Sequence, residues 1–459
     1  MLLPLSRMFR RSHPVATCMA VILGLVSATG AAAVLAASPA SAICGSTCSG
    51  PTLPPLPPPK TDHITFTWTL AQTQASSMPN MDTTGESTTS PVSLYACGST
   101  AAGGTSYPGI RDYEWTFSNG SPEITTTSCT ATWQRSLSKA ATSVNVTLTV
   151  VPQSGSPFSL TQTVQYRDVV IAALGDSGSS GEGAPDAGQN FSISGPCDRS
   201  TLAAPAQAAV HAQQTLGSNV SVHFWFLGCT GAGISDGLIN RYTEKNLPAQ
   251  LDRLSTLIDD SNLSVDRLIV SIGGNDVYWA TMLQSCLPLL PGYQDACVAD
   301  FTDVIGNALE GLPQDYQQLQ QHIQKALGAN IESGQVYLTQ YWDPIDSRSP
   351  QPLLCAGEPM AGLYLRTYGA TVESSLEQIM QSQSNINDWQ FIGGVQQAFQ
   401  GHGVCQSSPP TAVGGAGQWV NSVGVSIATQ GNQNGSWHPN YSGQAATAAI
   451  IYNDITPGL

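Results

Sequence analysis

The sequence predicts an α/β protein, a three-layer α/β/α arrangement around a doubly wound parallel sheet, preceded by a small all-β sandwich. Three observations predict it. Near residue 168 the apolar pattern changes from short alternating runs to continuous apolar runs separated by helical stretches. Glycine-rich turns follow several of those runs, where an open parallel sheet places its binding crevice. The chain has 459 residues, more than one ordinary core holds, so two folded units are expected.

Taken in order, residues 1–42 read as a targeting segment. Arg7, Arg10 and Arg11 form a positive start, an apolar run follows from Val15 to Ala37, and Ala40-Ser41-Ala42 offers an A-x-A cleavage site. The run is long enough to span a bilayer, but its small residues lead into the cleavage site, so cleavage and secretion are expected over anchoring. Cys44 is not read as a lipid attachment site, since Ile43 precedes it. Residues 43–61 hold Cys44, Cys48 and the stretch Pro51–Pro59 with six prolines, a stiff linker.

Residues 62–167 carry period-two runs rich in Thr, Val, Tyr and Trp: 64–68, 92–95, 113–117, 144–150 and 160–166. Gly, Pro, Ser and Asn punctuate them, as in a β-sandwich. Tyr113-Glu114-Trp115-Thr116-Phe117 followed by Asn119-Gly120 resembles the polycystic-kidney-disease-type, immunoglobulin-like sandwiches of secreted bacterial enzymes. The resemblance implies a spacer or a contact module for a cell surface or polymer, and no catalytic residues are expected there.

Residues 168–459 form the α/β part. Val169–Leu174, Val220–Leu227, Leu268–Ile272 and Val336–Tyr341 are apolar runs too short for helices, and Gln390–Ile392 is a fifth candidate strand. Helices are expected around 200–216, 248–259, 299–327, 360–383 and 441–453.

Composition narrows the function. Sixteen Lys and Arg against thirty-one Asp and Glu give a net charge of −15, which argues against nucleic-acid binding. Of eleven cysteines, Cys18 lies in the targeting segment, leaving ten. In an exported protein these read as five disulfides. Local pairing would join Cys44–Cys48, Cys97–Cys129, Cys197–Cys229, Cys286–Cys297 and Cys355–Cys405. No close Cys/His cluster suggests a metal, and no cofactor is implied. A monomer is expected.

The first α/β strand ends in Gly175-Asp176-Ser177-Gly178. A serine at a strand-to-loop corner is held outward, and flanking glycines let a carbonyl carbon approach it. Its hydroxyl needs a base within hydrogen-bond reach. The same four residues also spell the nucleophile of chymotrypsin-like proteases, but those place their His and Asp ahead of the Ser. Here the only mature-chain histidine ahead of Ser177 is His63, in unsuitable surroundings, and some 280 residues follow the serine.

The second reading is specific. Gly175-Asp176-Ser177 with its Ser-Gly-Glu-Gly continuation, Gly228-Cys229-Thr230-Gly231-Ala232, Gly274-Asn275-Asp276 and Trp437-His438-Pro439-Asn440 occur in this order at element ends. Together they resemble the four blocks of the SGNH/GDSL hydrolases, in particular secreted actinobacterial esterases and lipases. The resemblance implies a flavodoxin-like sheet and a serine esterase. Ser177 is then the nucleophile and His438 its general base. The Ser177 N–H, the Gly231 N–H and the Asn275 side-chain amide form the oxyanion hole. It also matches the bridges 197–229, 286–297 and 355–405, the first of which would tether the loop of Gly231.

One position departs from the family pattern. An Asp usually stands three residues before the histidine; here it is Gly435, and no Asp or Glu lies between Asp388 and His438. A Ser–His dyad is therefore expected, with a backbone carbonyl, that of Gly435 being the candidate, accepting the Nδ1 proton. Asp176 is read as a loop brace, with Asp276 as another distant acid. Glu182 and Asp236 are placed at the site rim without a role. His402 is read as a pocket-wall or loop residue, and His211, His223 and His322 as structural or exposed. Trp279 and Tyr278 could wall an acyl pocket, stack on a sugar, or fill the core. Expected substrates are acyl lipids, aryl esters or acetylated sugars, with a carbohydrate acetylesterase or phospholipase of the same fold as an alternative. The rival reading is a surface-binding protein whose catalytic half has decayed.

Overall fold

The computed structural model describes residues 62–72, 88–101, 109–286, 291–345, 363–404 and 417–459. The targeting segment, the linker, and Cys44, Cys48, Cys355 and Cys405 lie outside the described residues. Seven strands come first: β1 (Thr67–Leu70), β2 (Thr89–Tyr95), β3 (Ile110–Phe117), β4 (Ile124–Thr126), β5 (Thr130–Ser136), β6 (Thr142–Pro152) and β7 (Phe158–Gly175). β1, β2 and β5 make one antiparallel sheet, and β4, β3, β6 and the first half of β7 pair antiparallel in a second. Alternate side chains face inward, so Trp115, Trp133, Val146 and Leu148 are fully buried. Phe66 meets Trp115 edge-on at 5.2 Å and Phe117 stacks on Trp133 at 4.6 Å. A disulfide joins Cys97 to Cys129.

β7 carries the chain from one architecture to the other without a break. Its first half alternates between exposed and buried and pairs with β6; from Asp168 onward every residue is buried. That second half, Val169-Val170-Ile171-Ala172-Ala173-Leu174, pairs in parallel with β8 (Val220–Phe226) on one side and β9 (Arg267–Ser271) on the other. β10 (Val336–Thr339) and β11 (Gln390–Ile392) extend the sheet beyond β9. The parallel order is β8-β7-β9-β10-β11, so the first strand lies between the second and third, which makes its carboxyl end the switch point. The predicted boundary at 167/168 thus falls inside one strand.

Helices cover both faces. α1 (Ser177–Ser180) is a single turn after β7; α2 (Ala204–Thr215), α3 (Gln250–Ser261), α4 (Trp279–Cys286), α5 (Pro291–Leu327), α6 (Leu363–Ile386), α7 (Val395–Ala398), α8 (Val423–Gln430) and α9 (Tyr441–Ile455) follow. Alternate β7 residues divide between the two cores. Val170, Ala172 and Leu174 pack with Leu254 and Leu257 of α3 and Leu312 and Leu319 of α5. Val169, Ile171 and Ala173 pack with Ala206 and Ala209 of α2 and Ile451 of α9. Disulfides join Cys197 to Cys229 and Cys286 to Cys297. Among the described residues no helix is long and apolar enough to cross a membrane.

Candidate active site

Ser177 is placed by the end of β7. Gly175 has φ 136°, and a Cβ there would stand 2.0 Å from the Ser271 carbonyl oxygen, so β7 and β9 approach to a distance only glycine allows. The Gln250 side chain clamps the same peptide, accepting from the Gly175 N–H and donating to its carbonyl, each at 2.8 Å. Asp176 then caps α1: its carboxylate accepts the Gly178 N–H at 2.9 Å, and its carbonyl accepts from Ser179 and Ser180. The Ser177 N–H, first of the turn, has no protein acceptor among the described residues.

His438 comes from the turn before α9. Its Nε2 lies 2.8 Å from Ser177 Oγ, and its Nδ1 lies 3.0 Å from the Ser436 carbonyl. A carbonyl only accepts, so Nδ1 carries the ring hydrogen and Nε2 is the acceptor facing the serine hydroxyl. Burial pushes the imidazole down to about 4, against the opposing effect of the Ser436 carbonyl. The carbonyl expected here was that of Gly435, and the structure corrects it. The Gly435 oxygen is occupied by the His438 main-chain N–H and Asn421 Nδ2, each at 3.3 Å. Trp437, at φ 66°, turns the chain so that the Ser436 carbonyl faces the ring instead. Trp342 braces this turn, donating from Nε1 to the Trp437 carbonyl at 2.8 Å, with its ring 5.8 Å from the imidazole.

Ser177, Asn275 and His438 line one cavity, walled by Trp279, Leu283, Trp342 and Pro344. Asn275 Nδ2 donates to the Ala232 carbonyl at 2.9 Å, which engages one of its two hydrogens. That bond ties the turn after β9 to the loop of Gly231. Gly231 is exposed, has φ 78°, and is not among the residues lining the cavity. A side chain there would collide with Tyr242 Oη, which donates to the Thr230 carbonyl. The Cys197–Cys229 bridge and the Thr230 N–H to Cys197 carbonyl bond (3.2 Å) anchor the loop from below.

The acids fall into distinct places. Asp176 is buried; burial pushes it up to about 7, although Tyr341 Oη and the Gly178 N–H donate to it. Tyr341 also accepts the Gly274 N–H at 3.1 Å, which links the first and third motif turns. Asp276 accepts the Ile234 N–H at 2.9 Å, and burial pushes it up to about 6. Neither contacts His438. Asp236 is exposed and bonds Thr243 within its own loop.

Glu182, which sequence reasoning left without a role, is only 3% exposed, with an oxygen 3.9 Å from His438 Nε2. Its position between two glycines is the signal that could have marked it. Nothing in the sequence marks the Ser436 carbonyl. Trp279 lines the cavity, whereas Tyr278 is exposed. His402 stacks on Trp419 at 3.9 Å, His211 stacks on Tyr452 at 3.8 Å, His223 pairs with Asp168, and His63 bridges to Thr100 in the all-β part. Among the described residues no group of three His, Cys, Asp or Glu side chains could hold a metal ion.

A serine bonded to a neutral imidazole at the switch point of a doubly wound sheet is the arrangement of a serine hydrolase. The family model described as GDSL-like Lipase/Acylhydrolase matches residues 171–451. A lipase from Streptomyces rimosus is 28% identical over 307 residues, covering 64% of this chain and 88% of that protein. Among solved structures, the extracellular lipase of Streptomyces rimosus has TM-score 0.41 and 24% identity, covering 62% of this chain and 98% of that one. The phospholipase A1 of Streptomyces albidoflavus has TM-score 0.42 and 22% identity, again covering 62% and 98%. The chain belongs to the GDSL-like lipase/acylhydrolase family, and it is a carboxylic ester hydrolase.

Proposed function

We infer that the protein is a secreted serine esterase or lipase working through an acyl-enzyme on Ser177, with His438 as general base in a dyad. The observation that carries this is the 2.8 Å contact between His438 Nε2 and Ser177 Oγ, with Nδ1 held by the Ser436 carbonyl. As Ser177 Oγ attacks the ester carbonyl, its proton passes to Nε2, and the imidazolium then returns it to the departing alcohol. Water repeats the sequence on the acyl-enzyme. The charge that develops on the carbonyl oxygen falls to the Ser177 N–H, the Gly231 N–H and the free hydrogen of the Asn275 amide. One such donor typically contributes ~2.7–4 kcal/mol to the transition state.

The apolar wall of Trp279, Leu283 and Trp342 favours an acyl chain on the cavity side. Secretion rests on the targeting segment at 1–42 and three disulfides among the described residues, and the all-β segment at 62–167 is a spacer or contact module carrying the enzyme.

The test is hydrolysis of p-nitrophenyl acetate, butyrate and palmitate by the mature protein beside Ser177→Ala, with alkylphosphonate labelling of both. Hydrolysis and labelling that vanish in the variant support the assignment. A folded, disulfide-bonded protein that neither hydrolyses nor labels would overturn it in favour of a binding protein.

A further inference from the structure

Among the described residues, Glu182 is the buried carboxyl that comes within 3.9 Å of His438, and several contacts hold it there. It follows Gly181 (φ 93°) and precedes Gly183 (φ 88°). A Cβ on Gly183 would lie 2.7 Å from His438 Cβ, so this segment packs directly on the histidine turn. One carboxyl oxygen accepts from Thr230 Oγ1, the residue before Gly231, and stands 3.9 Å from His438 Nε2. The other accepts from Gln430 Nε2 at 3.4 Å, and Gln430 Oε1 accepts the Gly183 N–H at 3.1 Å. Asp198, the neighbour of Cys197 in the bridge to Cys229, interacts electrostatically with Glu182. These contacts join the serine turn, the Gly231 loop and the end of α8 at one carboxyl group.

Resting on the assignment of Ser177 and His438 above, we propose that Glu182 is a positioning residue. Paired with Asp198, it supplies from the Nε2 side the negative charge that the chain lacks on the Nδ1 side, and it holds the Gly231 loop through Thr230. When His438 takes the serine proton, the new positive charge forms 3.9 Å from this carboxyl group. In a buried setting that attraction is weakly screened. A carbonyl on Nδ1 orients the ring but carries no full charge, so the two partners divide the work that a single Asp performs elsewhere.

The groups that face Glu182 are Asp198, Lys245, His438 and Tyr242. Burial raises Glu182, and burial together with the Glu182 charge pushes Asp198 up to about 7. Lys245 opposes both shifts. Ionisation of Asp198 at about 7 adds to the charge beside the imidazole, and kcat is expected to rise through an acid limb there. Asp176, also at about 7, is retained in every variant compared, so a difference between them belongs to Glu182 and Asp198.

The experiment is the pH dependence of kcat and KM for p-nitrophenyl butyrate in the full mature chain, its Glu182→Gln and Asp198→Asn variants, and Ser177→Ala. Glu182→Gln is expected to lower the kcat plateau about tenfold or more with little change in KM, the scale of one charge interaction. It should also move the acid limb to lower pH, because Asp198 loses the negative neighbour that raises it. Asp198→Asn should move the limb the same way with a smaller plateau loss. A lower plateau with an unmoved limb means a merely structural Glu182, and overturns the proposal while leaving the Ser177 assignment intact. Loss of near-UV circular dichroism in Glu182→Gln passes the decision to Asp198→Asn, whose unmoved limb overturns it equally. Hydrolysis that persists in Ser177→Ala overturns the assignment itself, and the proposal with it.

Discussion

At the scale of single residues, the proposed chemistry rests on a hydroxyl, an imidazole and an amide held in fixed geometry. On the proposed Ser177–His438 dyad, Ser177→Ala and His438→Ala should each lower kcat about 10⁴-fold or more, and the double variant should fall little further. Single-turnover kinetics on all three proteins checks this; additive losses would mean that the two act separately. Asn275→Ala, which removes one proposed oxyanion donor, should cost about 10²–10³-fold in kcat at similar KM. His438 also leaves a mark on stability. The unfolded chain protonates this imidazole near its ordinary 6.5, the folded chain only near 4. Unfolding therefore takes up a proton between those values, and stability falls as pH drops from 6.5 towards 4. In His438→Gln, urea unfolding across that window should lose this part of the slope. The meeting of Ser177, His438 and Asn275 at one cavity was legible because each sits in a short motif at an element end. The partner of Nδ1 was misplaced by one residue, to Gly435 instead of Ser436, since the direction of a carbonyl depends on Trp437 turning to positive φ and no side chain announces it. Glu182 was legible as an acid between glycines but not as a buried one. Its burial depends on Thr230, Gln430 and the histidine turn meeting across the fold.

At the scale of elements, the site depends on turns held from below. Gly175→Ala should be far more damaging than a Gly-to-Ala change in a helix, because its Cβ would drive into the Ser271 carbonyl and force β7 from β9. The measurements are thermal unfolding and labelling at Ser177, and a stable, fully labelled variant would refute the steric argument. The Cys197–Cys229 bridge closes a loop of 32 residues, worth roughly 3–4 kcal/mol in the chain-entropy model. The continuous apolar strands and long helices were read from period and length. β5 was missed because Arg135 sits at an inward position where an apolar residue would have marked the alternation, and β4 because three residues carry no period. α4 was missed because it begins at Trp279, directly after a glycine-rich turn, and Trp279 drew attention as a pocket wall rather than a helix start.

At the scale of the whole molecule, β7 poses a problem that the sequence solves with charge. Between the alternating half and the buried half stands Asp168, 2% exposed, at the level where the all-β sheets meet the parallel sheet. Burying a carboxylate there is costly unless every lone pair is met. Arg135, at the end of β5, donates both guanidinium nitrogens to it at 2.7 Å, the Ser138 N–H adds a bond at 2.6 Å, and His223 on β8 approaches at 2.9 Å. The Tyr166 ring lies 4.1 Å from the guanidinium carbon. Burial pushes the Asp168 carboxyl up, but the Arg135 and His223 hydrogen bonds and charges outweigh it and hold the group at about 2. A carboxyl held below its unfolded value of 3.8 contributes stability that is complete above about pH 4 and is lost as pH falls towards 2. Asp168→Ala leaves the fully buried Arg135 without its counter-charge, and such a loss costs about 3–5 kcal/mol. Because β7 is one strand shared by both sheets, that loss should not stay local: the all-β part and the hydrolase part should unfold at a lower temperature together. Differential scanning calorimetry beside ester hydrolysis decides it. Two separated transitions, with hydrolysis surviving the first, would mean that the halves are energetically independent and that Asp168 serves only the strand it stands on.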